Sequence, residues 1–233
     1  MDTDDLAPER RAFVERLMDV GARKYHDRHR FHQLMNAGKL SREAMQLWAL
    51  NRFYYQRTIP LKDAAILSNM PDAAMRRRWI QRIVDHDGRA EGEGGLEAWL
   101  RLVEAVGARR EDALSDRHLL PGVRFAVDAY LTFARSRTWQ EAVASSLTEL
   151  FAPKLHAVRI GAFPGVYPWI DPEGLTYFRT RIAQANADVA HGLSIVLAHF
   201  VTPAEQDRAV EILAFKCDIL WAQLDAIALA AGV

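Results

Sequence analysis

A cation, a phenol and an amide crowd into the stretch RFYYQRTIPLKDA, residues 52–64. On a helix, Trp48, Arg52, Tyr55, Gln56 and Ile59 share one face, so hydrogen-bonding groups line a stripe that otherwise reads as core. Such a set can grip an anion; it can equally be a snorkelling arginine beside a core tyrosine. The same mixture recurs further along. In the segment opened by Asp72, His86 projects close to Trp79 and between it and Met75, with Arg82 one turn before it. In EAVASSLTELFAPKLHAVR, Glu149 is the single charge between Ala142 and Phe151. A helix without a charged face is buried all round, and one running on past Pro153 would aim Glu149, His156 and Arg159 the same way. Tyr177 and Arg181 are four apart, and Lys216 interrupts the nearly apolar run ILAFKCDILWAQLDAIALA.

Each of these has a structural explanation on its own: a satisfied core histidine, a buried ion pair, a snorkelling lysine. Together they set Arg52, Arg82, Arg159, Arg181 and Lys216 on core-leaning faces of five helices, beside His86, His156, Tyr55, Tyr177 and Glu149. Five cations cannot all be packed among apolar groups unpaired, because each would forfeit several kcal/mol of hydration. One anionic, hydrogen-bonding ligand at the centre of a helical bundle resolves all five. Other chemistries fit less well. The sequence has no P-loop, no GxGxxG after a strand, no HExxH, no GxSxG and no Glu-x-x-His pairs for a di-iron site. Cys217 lies in an apolar helix and reads as a buried thiol rather than a nucleophile.

The elements that must position these residues are all helical. Period-two alternation is missing, while helical spacing recurs almost throughout, as in Phe13, Leu17 and Val20. Ser41 caps a helix expected to reach about Arg57, and Pro60 suits the first turn of the next. Asp72 opens a third that stops at Gly88; GRAEGEGG is a loop, and LEAWLRLVEAVG a helix ending on Gly107. Pro121 starts another. TWQEAVASSLTELFAPKLHAVR reads as one helix kinked at Pro153, and FPGVYPWIDPEG as a loop ending on the cap Asp171 with Pro172. Thr202, Pro203 and Glu205 form a capping box for a final long helix. The expectation is an all-α bundle of about seven main helices in one domain spanning residues 1–233.

Composition narrows the partners. In 233 residues, 30 basic side chains balance 30 acidic ones, so no net field favours nucleic acid or a membrane surface. The single cysteine excludes an internal disulfide, and no apolar run approaches the roughly 18 residues of a membrane span. The N-terminal MDTDDLAPERRAF lacks the layout of a signal peptide, and the expected location is the cytoplasm.

The blocks NRFYYQRTIPLKDAAI, RRRWIQRIVDHDG, EGGLEAWLRL, LPGVRFAVDAYLTFAR, SSLTELFAP, YFRTR and FKCDILWAQLDA closely resemble, in order and spacing, the pyrroloquinoline quinone synthase family. The likeness runs from about Tyr25 to Ala228. It implies a heme-oxygenase-like bundle of seven helices, a homodimer, and an oxidase that uses molecular oxygen with no metal or organic cofactor. The implied reaction is the last step of quinone cofactor synthesis: ring closure of an amino-acid-derived tricarboxylate, then removal of eight electrons with hydrogen peroxide as by-product. By the resemblance, Tyr25, His26, Arg52, Tyr55, Gln56, Arg82, Tyr130, Glu149, Arg159 and Lys216 contact substrate, and His156 lines the same pocket and joins the catalytic set. His86, Tyr177 and Arg181 surround oxygen and the reacting ring, and Lys62 and Asp63 sit just outside. The resemblance also implies a C-terminal tail beyond Val233. Three other readings remain: a non-catalytic carrier of the finished quinone, a thiaminase-like hydrolase of the same fold that would depend on Cys217, and a heme or di-iron protein using His26 or His86 as ligand.

Overall fold

The computed structural model describes residues 7–233, apart from the side chains of Asn186 and Ala187. Residues 1–6, where the reading of the N-terminus as free of a targeting signal begins, lie outside the described residues. The chain forms α1 (Pro8–Lys24), α2 (Arg30–Asn36), α3 (Arg42–Asn69), α4 (Ala73–Asp87), α5 (Gly94–Ala105), α6 (Arg110–Leu114), α7 (Pro121–Ser136), α8 (Trp139–Ala144), α9 (Ala152–Val166), α10 (Thr176–His199) and α11 (Pro203–Ala231). Among the described residues there is no strand, and no helix is long and apolar enough to cross a membrane. Among the described residues eleven α-helices stand where about seven main ones were expected; the difference is mostly short pieces such as α2, α6 and α8.

The caps act where the sequence places them. Ser41 accepts from the Ala44 amide, Asp72 from Met75 and Asp171 from Glu173. Thr202 and Glu205 close a reciprocal box: Glu205 N–H donates to Thr202 Oγ1 at 3.3 Å, and Thr202 N–H to Glu205 Oε2 at 2.8 Å. Three boundaries differ from expectation. Helix α3 does not stop near Arg57 but runs unbroken through Pro60. Pro60 cannot donate to the Gln56 carbonyl, yet the helix is flanked by α4, α5 and α7, and that packing outweighs one missing bond. Residues 138–159 are not one helix kinked at Pro153. A 3₁₀ stretch, Ser145–Leu150, separates α8 from α9, where the Ser145 hydroxyl donates to the Ala142 carbonyl at 2.6 Å and Pro153 sits in the first turn of α9. The expected loop from Phe163 begins only after Val166, because α9 accommodates Pro164 near its C-terminus.

Helix α3 forms the axis of the arrangement. It packs along α4, α5, α7 and α11, while α10 lies against α9, α5 and the 3₁₀ stretch. Trp48, Trp79 and Trp99 are fully buried, and the Trp99 indole donates to the Ala49 carbonyl at 2.9 Å, pinning α5 to α3. Removing the Thr202 cap tests how far local caps hold the bundle: Thr202→Ala should lower unfolding free energy by about 1 kcal/mol in urea titration. No change would mean that α11 is held by packing alone.

Candidate functional site

The polar faces converge on a buried cavity of about 70 Å³. Helix α3 supplies Arg52, Tyr55 and Gln56, α4 supplies His86, and the 3₁₀ stretch supplies Glu149. His156 and Arg159 come from α9, Tyr177 and Arg181 from α10, and Tyr25 and His26 from the turn between α1 and α2. Three expected site residues stand behind this wall. Lys216 donates to the Tyr55 hydroxyl at 2.8 Å, Tyr130 stacks on Tyr55 with centroids 6.2 Å apart, and Arg82 reaches Glu149 at 2.5 Å. Glu149, His156 and Arg159 do share the cavity, although not on one continuous helix.

The interior cations, buried except for half-buried Arg52, divide into two groups. In the first, carboxylates answer every charge. Lys62 lies 2.7 Å from Asp63, and Arg82 meets Asp63 at 3.3 Å, Glu149 at 2.5 Å and Asp188 at 3.4 Å. Arg181 meets Glu149 at 3.6 Å and Asp188 at 3.4 Å, and also donates to Gln184 at 3.2 Å. Burial opposes charge on all of these groups, but the facing cations hold Asp63 and Glu149 below the usual carboxylate range. Arg82 and Arg181 therefore need no ligand for neutrality, which corrects the expectation that all five cations await one anion.

The second group has only neutral partners. Arg52 donates to Gln223 Oε1 at 3.0 Å and lies over the Tyr55 ring, 3.9 Å from its centroid. Arg159 donates to His32 Nε2 at 2.8 Å, and Lys216 reaches the Tyr55 hydroxyl while sitting 3.4 Å from the Tyr130 ring centroid. Among the described residues no carboxylate lies within ion-pair distance of any of the three. Burial first, then the Arg52 charge, pushes Arg159 down to about 9 and Lys216 well below the ordinary lysine value. Lys216 does not snorkel: its side chain is completely buried.

The histidines are poised as neutral bases. His86 Nδ1 lies 3.0 Å from the Arg82 carbonyl, which can only accept, so Nδ1 carries the proton and Nε2 offers a lone pair. That Nε2 is buried without a protein hydrogen-bond partner. Burial, reinforced by Arg181, lowers His86 to about 3. His32 repeats the logic: Nδ1 donates to the His26 carbonyl at 2.9 Å, leaving Nε2 to accept from Arg159. Tyr177 donates to Gln56 Oε1 at 2.8 Å, and burial keeps its phenol protonated. Cys217 is buried, and burial pushes its thiol up to about 12, which removes it as a nucleophile at neutral pH.

Sequence reasoning missed four members of this array. Asp188 lies seven residues beyond Arg181, and Gln223 seven beyond Lys216, so each shares a helical face already singled out. His32 extends the His26, His29 series at three-residue spacing, and Trp99 lines the cavity edge-on to Tyr177 at 4.8 Å. Among the described residues no three His, Cys, Asp or Glu side chains gather as a metal site.

Neutral imidazoles in the native state make stability depend on acid. His86 titrates near 6.5 when unfolded and about 3 when folded, so below pH 6.5 the unfolded chain binds a proton that the native chain refuses, and stability falls as pH falls. His26, His32 and His156 act with the same sign; Asp188, raised to about 6 by burial, acts oppositely. His86→Gln should shrink the loss of stability between pH 7 and pH 5 by roughly 2 kcal/mol, read from urea titrations at each pH. An unchanged difference would show that His86 takes up its proton equally in the native and unfolded chains.

Comparison with known proteins bears on the fold and the family. Solved structures similar to this chain are a TenA homologue from Pseudomonas syringae (TM-score 0.77, 18% identity, covering 98% of this chain and 96% of that one) and a Shewanella denitrificans domain described as having a heme oxygenase-like fold (0.72, 13%, 97% and 93%). These share the fold. Sequence relatives are much nearer: pyrroloquinoline-quinone synthases from Klebsiella pneumoniae, 58% identical over 98% of this chain and 90% of the relative, and from Pseudomonas aeruginosa, 57% identical over 96% and 89%. The family model described as TENA/THI-4/PQQC matches residues 15–226, and the chain belongs to that family.

Proposed function

We propose that this chain is a pyrroloquinoline-quinone synthase, closing the ring of a tricarboxylate precursor and oxidising it by eight electrons with molecular oxygen. The observation that carries this reading is the group of three cations, half-buried Arg52 with buried Arg159 and Lys216, that the protein leaves without carboxylates. A ligand bearing three carboxylates supplies one counter-charge for each. Guanidinium forks and a lysine ammonium then fix the ring by charge-assisted hydrogen bonds. The names of the nearby relatives support the same activity.

The remaining groups suit proton and charge management. His86 Nε2 takes a proton from the ring, because its lone pair is free and a neutral imidazole is the resting form. The Tyr177 hydroxyl, whose one proton rests on Gln56, turns that proton toward reduced oxygen, and Arg181 supplies positive charge beside it. An electron-rich ring passes electrons to oxygen directly, and each two electrons with two protons yield one hydrogen peroxide. In this reading the enzyme uses no metal or organic cofactor and works as a cytoplasmic homodimer. Exposed Phe125 and Leu229, on the adjoining helices α7 and α11, offer apolar surface for such pairing. A cavity of about 70 Å³ is below the few hundred Å³ of ordinary ligand sites, so the walls move apart to admit the precursor.

Two measurements test the reading. Purified protein mixed in air with the ring-open precursor should develop the absorption of the finished quinone and release peroxide, with or without a chelator; no quinone, or activity lost to chelation and restored by iron, overturns it. Lys216→Met should weaken precursor binding by about 1.5–3 kcal/mol, roughly ten- to a hundredfold in Kd, because one carboxylate loses its cation. Unchanged affinity would contradict the matching of three cations to three carboxylates.

A further inference from the structure

A second recess lies against the first. An open groove of about 420 Å³ runs between α4, α5 and α10, and two of its lining residues, Tyr177 and Arg181, also line the buried cavity. Each is only 5% exposed, so this pair forms a thin partition between solvent and interior. His86 stands just behind the same wall. Gly95 lines the groove, and a Cβ placed on it would lie 3.6 Å from His86 Cδ2; the wall there is bare backbone. The turn that carries it is tightly closed. Gly88 and Gly94 have φ of +82° and +84°, and a Cβ on Gly94 would meet the Gly88 nitrogen at 2.4 Å.

We infer that this groove is the portal through which dioxygen reaches, and hydrogen peroxide leaves, the His86–Tyr177–Arg181 corner, separately from the path of the organic substrate. The inference rests on the oxidase reading above. Its charge pattern argues against use by a trianion: Asp85, Glu93 and Glu97 offset Arg89, Arg101 and Arg181, so the groove has no net attraction for carboxylates. Of the three cations left for a tricarboxylate, Arg52 and Arg159 line the cavity and none lines the groove. A small neutral molecule needs neither charge nor width, only a thin wall beside the reacting groups.

Plugging the groove tests this. Thr180 on α10 and Gln81 on α4 are exposed residues that line it, whereas Arg179 is exposed and does not. Dissolved oxygen speeds magnetic relaxation of nuclei that it approaches, so the labelled His86 Cε1 signal, assigned by its loss in His86→Gln, reports access without any turnover. Oxygen-driven relaxation should be strong in the unmodified protein, fall severalfold in Thr180→Trp and in Gln81→Trp, and stay unchanged in Arg179→Trp. In turnover, the two plugged variants should show a KM for oxygen raised by a similar factor, with anaerobic precursor affinity unchanged. Weak relaxation at His86 in the unmodified protein, or undiminished relaxation in both plugged variants, overturns the portal. Absence of quinone formation by unmodified protein that does show strong, plug-sensitive relaxation would instead fell the oxidase reading and leave the access route standing.

Discussion

The contact on which the interior depends is the chain of ion pairs from Lys62 through Asp63, Arg82 and Glu149 to Arg181 and Asp188. It joins α3, α4, the 3₁₀ stretch and α10 through their least exposed faces. Buried charge is tolerated here because three cations meet three carboxylates at short range; removing one partner would strand a desolvated charge. That neutral lattice also gives the cavity its rigid side. Arg181 is held by Glu149, Asp188 and Gln184 before any ligand is present, and His86 is oriented by the backbone of Arg82, the residue at the lattice's centre.

Much of this was legible in the sequence because helical spacing converts directly into facing. Arg52, Tyr55 and Gln56 do line one wall, and Tyr177 and Arg181 another, as three- and four-residue steps require. Asp72, Asp171 and Thr202 cap as read, since a cap is a local hydrogen bond. What failed was non-local. Pro60 reads as a boundary, but neighbours on several sides keep α3 continuous. Pro153 reads as a kink, but the chain has already left the α-helix in a 3₁₀ stretch, where the buried Ser145 hydroxyl donates to the Ala142 carbonyl. The pairing of Arg82 was likewise invisible, because its carboxylates, Asp63, Glu149 and Asp188, come from α3, the 3₁₀ stretch and α10.

The division of labour among side chains follows from that partition. Groups with carboxylate partners build structure and set local potential, and groups with neutral partners remain free to answer an incoming charge. Tyr55 sits at the junction. It accepts from Lys216, lies under Arg52 and stacks on Tyr130, so a single phenol spaces two like charges that would otherwise repel across a dry interior.

In the proposed synthase reading, the three cations without carboxylates would also shape the kinetics. Oxidation and ring closure would alter the ring while leaving its carboxylates in place, so Arg52, Arg159 and Lys216 would grip starting material and product with nearly equal strength. Affinity of that kind is uniform along a reaction coordinate: it gathers substrate without lowering the chemical barrier. It would also make the finished quinone its own competitor. A cavity built on positive charge would then shift the slow part of the cycle toward letting go, with dissociation rather than electron transfer setting throughput.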